Sequence, residues 1–112
     1  IGKGMNIQID FVLQPVGSWC KQKKTEEEEK IFFEEDQIPS LYNIYKHVEK
    51  DKYIQIKKLL EDLTKKNSIR FLDMNEILNN KEYSDKWIFT SKFHVTDLGS
   101  QIIAESLSNK LL

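Results

Sequence analysis

This chain of 112 residues has one cysteine, one arginine and no long apolar run. Cys20 on its own excludes an internal disulfide framework and a multi-thiolate metal site. Seventeen basic residues stand against eighteen acidic ones, a net charge of −1, so no global field draws in nucleic acid or anionic lipid. Arg70 is the only arginine among the basic residues, which further weakens a phosphate-clamping role. The apolar stretches are a few residues long, against the roughly 20 that a membrane-spanning helix needs. No Gly-rich phosphate loop occurs, and no cluster of His, Cys and Asp has metal-ligand spacing. There is no internal repeat, and no low-complexity segment beyond the run Glu26 to Glu29.

What is present is a composition of 39% hydrophobic and 31% charged residues, which argues against wholesale disorder. The length fits one domain at most, and a domain of this order buries roughly two-thirds of its unfolded surface. Ile1-Gly2-Lys3-Gly4 shows no charged segment leading into a long apolar run of the signal-peptide kind. The chain opens on Ile directly ahead of a strand pattern, and residues 1–112 are expected to be a single partial domain, the C-terminal piece of a longer protein.

Asn6 to Val16 alternates at Ile7, Ile9 and Phe11 and then becomes continuously apolar at Phe11-Val12-Leu13, as a parallel strand buried on both faces does. Pro15 cannot continue a central ladder, so the strand should stop near Gln14. Gly17 to Cys20 and the lysines that follow read as loop. Thr25 with Glu28 three residues on is a capping box, and the acidic first turn suits the positive end of a helix running to about Asp36. That helix should bury Ile31 and either Phe32 or Phe33. The tract Lys21 to Lys30 could also be an interaction tail, but the apolar residues directly after it favour the helix.

Pro39-Ser40 opens a second helix with Leu41, Tyr42, Ile44, Tyr45 and Val48 at helical spacing. A third carries Tyr53, Ile56, Leu59, Leu60 and Leu63 on one face and ends at Asn67-Ser68. Ile69 to Leu72 is a short strand, Asp73 to Leu78 a helical turn, and Asn79 to Lys86 a polar loop. After Trp87-Ile88-Phe89, a final helix from Thr96 to Leu111 turns Leu98, Ile102, Ile103, Ala104 and Leu107 inward. Strands separated by helical crossovers predict an α/β layered fold with a parallel sheet. With so few strands, the sheet needs strands from upstream chain or from another chain to cover its edge.

The stretch Phe89 to Leu107 carries the chemistry. His94 lies two residues ahead of the helix cap Thr96, so a rigid element holds the loop while the ring stays free, a suitable mounting for a general base. Gly99 permits close approach of the first helical turn to neighbouring backbone. His94-Val-Thr96-Asp-Leu-Gly99, followed by Ile102-Ile103-Ala104, resembles the last conserved block of the SGNH (GDSL-type) hydrolase family, Asp-x-x-His-x-Thr-x-x-Gly with an apolar helix after it. Phe11 to Pro15 is similar to a late central strand of that fold, Ile69 to Asp73 to its last core strand, and Trp87 to Thr90 to the lead-in to the histidine loop.

The resemblance implies the C-terminal part of a flavodoxin-like, three-layer parallel-sheet fold and a serine-nucleophile acyl-ester hydrolase. Its substrate would be an ester or an acylated carbohydrate, and its acyl transfer would need no cofactor. In the family a serine attacks the ester carbonyl, the histidine of this block takes the serine proton, and an aspartate three residues earlier orients the imidazole. His94 matches the base. The Gly-Asp-Ser and Gly-x-Asn-Asp blocks that hold the nucleophile and oxyanion donors occur nowhere in the 112 residues and are expected upstream of Ile1.

Ser91 stands where the family has aspartate. It can accept an imidazole N–H but supplies no charge, and in triads the acid is worth orders of magnitude in rate. Three arrangements follow: a Ser–His pair helped by a backbone carbonyl, a substitute carboxylate from Asp85 or Asp97, or a degenerate site acting in protein or carbohydrate binding. Asp97 also suits the first helical turn as a dipole partner. Ser91 should place an oxygen within hydrogen-bond distance of His94.

Other residues carry less. Ser18 lacks the setting of a nucleophile elbow, Cys20 has no neighbouring His or second Cys in sequence, and His47 sits in a charged, solvent-facing stretch. Asp73 is placed as a cap. Gln14, Pro15 and Trp19 fall at the end of a strand, where open α/β sheets put ligand crevices. They either line an acyl pocket or, in the case of Trp19, cover the sheet end.

Overall fold

A computed structural model describes residues 7–20 and 23–112. The expected strand start at Asn6 and the loop reading of Lys21 and Gln22 lie outside the described residues. The elements are β1 (Asp10–Leu13), α1 (Gly17–Cys20), α2 (Glu26–Asp36), α3 (Pro39–Tyr45), a 3₁₀ turn (Lys46–Val48), α4 (Lys50–Lys66), β2 (Arg70–Asp73), α5 (Met74–Leu78), a second 3₁₀ turn (Lys81–Tyr83) and α6 (Asp97–Leu111). The chain is mixed α/β and mostly helical, around one parallel pair of strands. No helix among the described residues is long and apolar enough to cross a membrane.

β1 and β2 pair in parallel with Asp10 opposite Arg70, Phe11 opposite Phe71, Val12 opposite Leu72 and Leu13 opposite Asp73. The crossover is helical, as the strand–helix–strand order predicts. Asp10 and Arg70 also join side chain to side chain, Arg70 Nε to Oδ1 at 2.8 Å and Nη2 to Oδ2 at 3.1 Å, while Nη1 donates to the Lys110 carbonyl at 3.2 Å. The one arginine is thus spent on fixing register and holding the end of α6. Its hydrogen bonds keep the Asp10 carboxyl below the usual carboxylate range.

The strand differs from its sequence reading in two ways. It starts at Asp10, and Ile7 and Ile9 are exposed, because the partner strand begins only at Arg70 and leaves them nothing to pair with. It is also not buried on both faces: Phe11 remains 40% exposed, stacked at 5.9 Å on Phe71, and Val12 and Leu13 are half-buried. The two strands of the described residues form too narrow a sheet to be covered twice.

The core lies beside the sheet, where Cys20, Phe32, Met74, Leu78, Ile88, Phe89 and Ile102 form one buried cluster. The expected loop at Gly17 to Cys20 is a helical turn, with Trp19 and Cys20 N–H donating back to the Val16 carbonyl at 2.8 and 3.2 Å. Gly17 is needed there, because a Cβ would fall 2.3 Å from Phe32 Cζ. In α2 the capping box between Thr25 and Glu28 forms as the spacing predicts, and Phe32 is buried while Phe33 faces solvent.

Helix faces depart further from the apolar pattern. No residue of α3 is buried, and the helix stops at Tyr45 before the 3₁₀ turn. In α4 the docked side is Tyr53, Lys57, Leu60 and Thr64, so Leu59 is 60% exposed and Leu63 is exposed as well. The cause is Tyr53, which stacks on Trp19 at 5.0 Å and donates its hydroxyl to Asp73. In α6, Gly99 and Ile102 face inward, which leaves Leu98 and Ala104 outside, contrary to their expected burial. Gly99 sets that phase: a Cβ there would stand 2.7 Å from the Ile88 carbonyl oxygen. The polar segment before it contains the turn Lys81–Tyr83, capped by Asn80 Oδ1 receiving Glu82 N–H at 3.1 Å.

Candidate active site

His94 sits on a tight turn between the buried segment Ile88-Phe89 and α6. The turn is closed on both sides by backbone. Thr90 and Ser91 N–H donate to the His94 carbonyl at 3.0 and 3.4 Å, and Phe89 and Val95 form an antiparallel bridge. Thr96 caps α6 by receiving Gly99 N–H at 3.0 Å, donates its hydroxyl to the Trp87 carbonyl at 2.9 Å, and gives its own N–H to the Ile88 carbonyl at 2.8 Å. One threonine therefore anchors both the lead-in before the imidazole and the helix after it.

Within the turn, Ser91 Oγ receives Phe93 N–H at 3.2 Å and His94 N–H at 3.0 Å, and lies 2.8 Å from His94 Nδ1. The expected contact between position 91 and the imidazole is made by the hydroxyl, not by the backbone carbonyl. Neither Asp85 nor Asp97 hydrogen-bonds the ring among the described residues; Asp97 lies in the first turn of α6. His94 is exposed, and its Nε2 has no hydrogen-bond partner among the described residues.

The chain after β1 docks on this turn. Gly17 N–H donates to the Lys92 carbonyl at 2.8 Å and Gln14 Nε2 to the Phe93 carbonyl at 3.2 Å. Asn75 holds that chain in turn: its Oδ1 receives Val16 N–H at 2.8 Å and its Nδ2 donates to the Gln14 carbonyl at 3.0 Å. The buried amide takes over from the ladder where Pro15 has no N–H to give. Asp73, the last residue of β2, caps α5 through Asn75 N–H at 2.9 Å as expected, and it also receives the Tyr53 hydroxyl.

From the other side, the carboxylate of Glu35 receives Lys92 N–H at 3.0 Å and the Tyr45 hydroxyl, and Lys92 Nζ pairs with Asp36 and lies 4.7 Å from the Tyr45 ring centre. Partial burial and these acidic neighbours push the Tyr45 phenol up to about 12. Tyr45 also packs on Phe93 at 5.2 Å. Sequence reading placed none of Glu28, Glu35, Tyr45 or Asn75 in this supporting frame. For Glu28 half the signal was present, since the capping box fixed one carboxylate oxygen. The other receives Ile88 and Phe89 N–H at 3.2 and 3.1 Å, sixty residues away.

Trp19 is buried, donates Nε1 to the Val48 carbonyl at 2.7 Å and stacks on Tyr53 at 5.0 Å. A shallow pocket of about 180 Å³ abuts the turn through Lys92 and is walled by Ser18, Tyr42 and Tyr45. The larger opening, about 520 Å³ beside Cys20, Leu78 and Asn79, shares no residue with the histidine turn. His47 is exposed and distant in sequence from the turn, and Cys20 is buried with its Sγ donating to the Val16 carbonyl at 3.3 Å. Among the described residues no group of three or more His, Cys, Asp or Glu is placed to hold a metal ion. No protein-family model matches the chain, and no curated protein matches it.

Proposed function

We propose that the chain is the C-terminal portion of a serine-nucleophile acyl-ester hydrolase of the SGNH type, with His94 as its general base. The observation that carries this reading is the turn itself. Backbone hydrogen bonds hold the imidazole just ahead of a capped helix, the residue three positions earlier meets Nδ1, and Nε2 is left open on an exposed ring. One ring nitrogen is thus held by a neighbour in the turn and the other faces open space that a nucleophile can reach, the mounting that a general base needs. The parallel pair β1–β2 and the intact Thr96 and Gly99 positions support it as well.

On this reading the serine and the oxyanion donors come from polypeptide upstream of Ile1, because no block for them occurs in the 112 residues. The same upstream segment adds strands to the two-stranded sheet toward a flavodoxin-like domain. The serine attacks the carbonyl of an ester or acylated carbohydrate, His94 takes its proton and then passes it to the leaving alcohol, and water completes the cycle by the reverse route. Ser91 favours a second reading: a hydroxyl gives no charge to stabilise an imidazolium, as in a degenerate relative that binds protein or carbohydrate without turnover.

Turnover of a short-chain nitrophenyl ester separates the two. The polypeptide extended upstream should hydrolyse it, His94→Ala should cost at least about 100-fold in kcat, and the 112-residue chain alone should be inert. An extended protein without turnover, or one indifferent to His94→Ala, leaves the binding reading.

A further inference from the structure

We propose that Ser91 is a positioning residue that holds neutral His94, at rest, in the tautomer whose proton is on Nε2. A serine hydroxyl has one proton to donate and two lone pairs with which to accept. Ser91 Oγ receives the N–H of Phe93 at 3.2 Å and of His94 at 3.0 Å. Backbone amides only donate, so both acceptor positions are taken. The third contact of this oxygen is His94 Nδ1 at 2.8 Å, and what the hydroxyl has left for it is its proton. Ser91 therefore donates to Nδ1, Nδ1 is the unprotonated nitrogen, and the ring's own proton sits on Nε2.

The turn does not rearrange freely to reverse this. Its amides at Thr90 and Ser91 are bound to the His94 carbonyl, its Lys92 N–H to Glu35, and its Lys92 carbonyl to Gly17 N–H. A ring in this state presents a donor at Nε2. It can hydrogen-bond an oxygen, but it takes a proton only after its own has moved to Nδ1, where it would meet a hydroxyl with no lone pair to spare. A serine protease whose triad aspartate becomes asparagine keeps its geometry and loses about 10⁴ in kcat through the same fault of tautomer. A carboxylate at position 91 has two oxygens, one for the two amides of the turn and one for an Nδ1 proton. Ser91→Asp should therefore invert the tautomer.

The tautomer stands on hydrogen-bond geometry alone, whereas its effect on rate rests on the hydrolase reading, so the test has two arms. In the first, long-range proton–nitrogen correlation spectra of the ¹⁵N-labelled protein are recorded at alkaline pH, where the ring signals no longer move with pH. The expected result is an unprotonated Nδ1 and a protonated Nε2 for His94. Ser91→Ala should relax His94 to the pattern of the exposed His47, and Ser91→Asp should give a protonated Nδ1. A wild-type His94 protonated on Nδ1, or one that matches His47 and is unmoved by Ser91→Ala, overturns the proposal. In the second arm Ser91→Asp in the extended protein should raise kcat at least about tenfold with KM little changed. Spectra as expected with no turnover in either protein uphold the tautomer and reject the hydrolase reading.

Discussion

Glu28 closes the first turn of α2 with one carboxylate oxygen, on Thr25 N–H at 3.0 Å, and gathers the amides of Ile88 and Phe89 with the other. It is fully buried, and it links the start of a helix to the segment that leads into the histidine turn. Removing it leaves amides of two core residues without an acceptor, and an orphaned buried amide costs about 1–3 kcal/mol. We expect Glu28→Ala to lower the stability measured by urea unfolding by about 3 kcal/mol or more, and Glu28→Gln, which keeps one acceptor oxygen, by less. Local spacing made the capping box and the Ser91–His94 contact legible, since each joins residues three apart. The bonds of Glu28 to residues 88 and 89, of Asn75 to 14 and 16, and of Glu35 to 92 left no trace, because no periodicity connects segments so far apart in the chain.

The helix ends followed their local chemistry, while the faces followed partners. After α4 the chain leaves through a left-handed residue, Ser68 at φ 56°, with Ser68 N–H on the Lys65 carbonyl at 3.2 Å and Ile69 N–H on the Thr64 carbonyl at 2.8 Å. This is the paired closure usual at helix C-termini, with serine where glycine is favoured. A side chain in that conformation costs about 1 kcal/mol, so Ser68→Gly should stabilise the protein by about that amount in a urea titration at constant slope. Asn67-Ser68 marked the stop in the sequence for the same reason. The docked face of α4 was legible only in part: Tyr53, Ile56 and Leu60 are half-buried as expected, whereas Leu59 and Leu63 are exposed because Trp19 and Asp73 hold Tyr53. Their grip turns the helix by part of a turn and leaves two leucines in water.

Across the whole molecule, three tyrosines are pushed above the usual phenol range. Burial comes first for each, followed by Glu35 at Tyr45, Asp73 at Tyr53 and Glu82 at Tyr83. In the unfolded chain the phenols ionise at about pH 10. Above that pH the unfolded state has released protons that the folded state still holds, so stability falls as pH rises. The full contribution is present below about pH 10 and, for Tyr45, is lost through about pH 12. Urea midpoints should be level up to about pH 9.5 and then decline, with a shallower decline in Tyr53→Phe. At the same scale, the parallel pairing of β1 with β2 was readable from strand–helix–strand order, whereas the coverage of the sheet was not, since burial on both faces requires strands that these residues do not supply. The proposal that such strands, and a serine nucleophile with them, precede this chain is tested most directly by a fluorophosphonate probe on the extended protein, read by mass spectrometry. The expected result is one covalent adduct per protein on a serine upstream of Ile1, forming at least about 100-fold more slowly after His94→Ala. No adduct, an adduct on Ser18 or Ser91, or a rate that ignores His94 would contradict it.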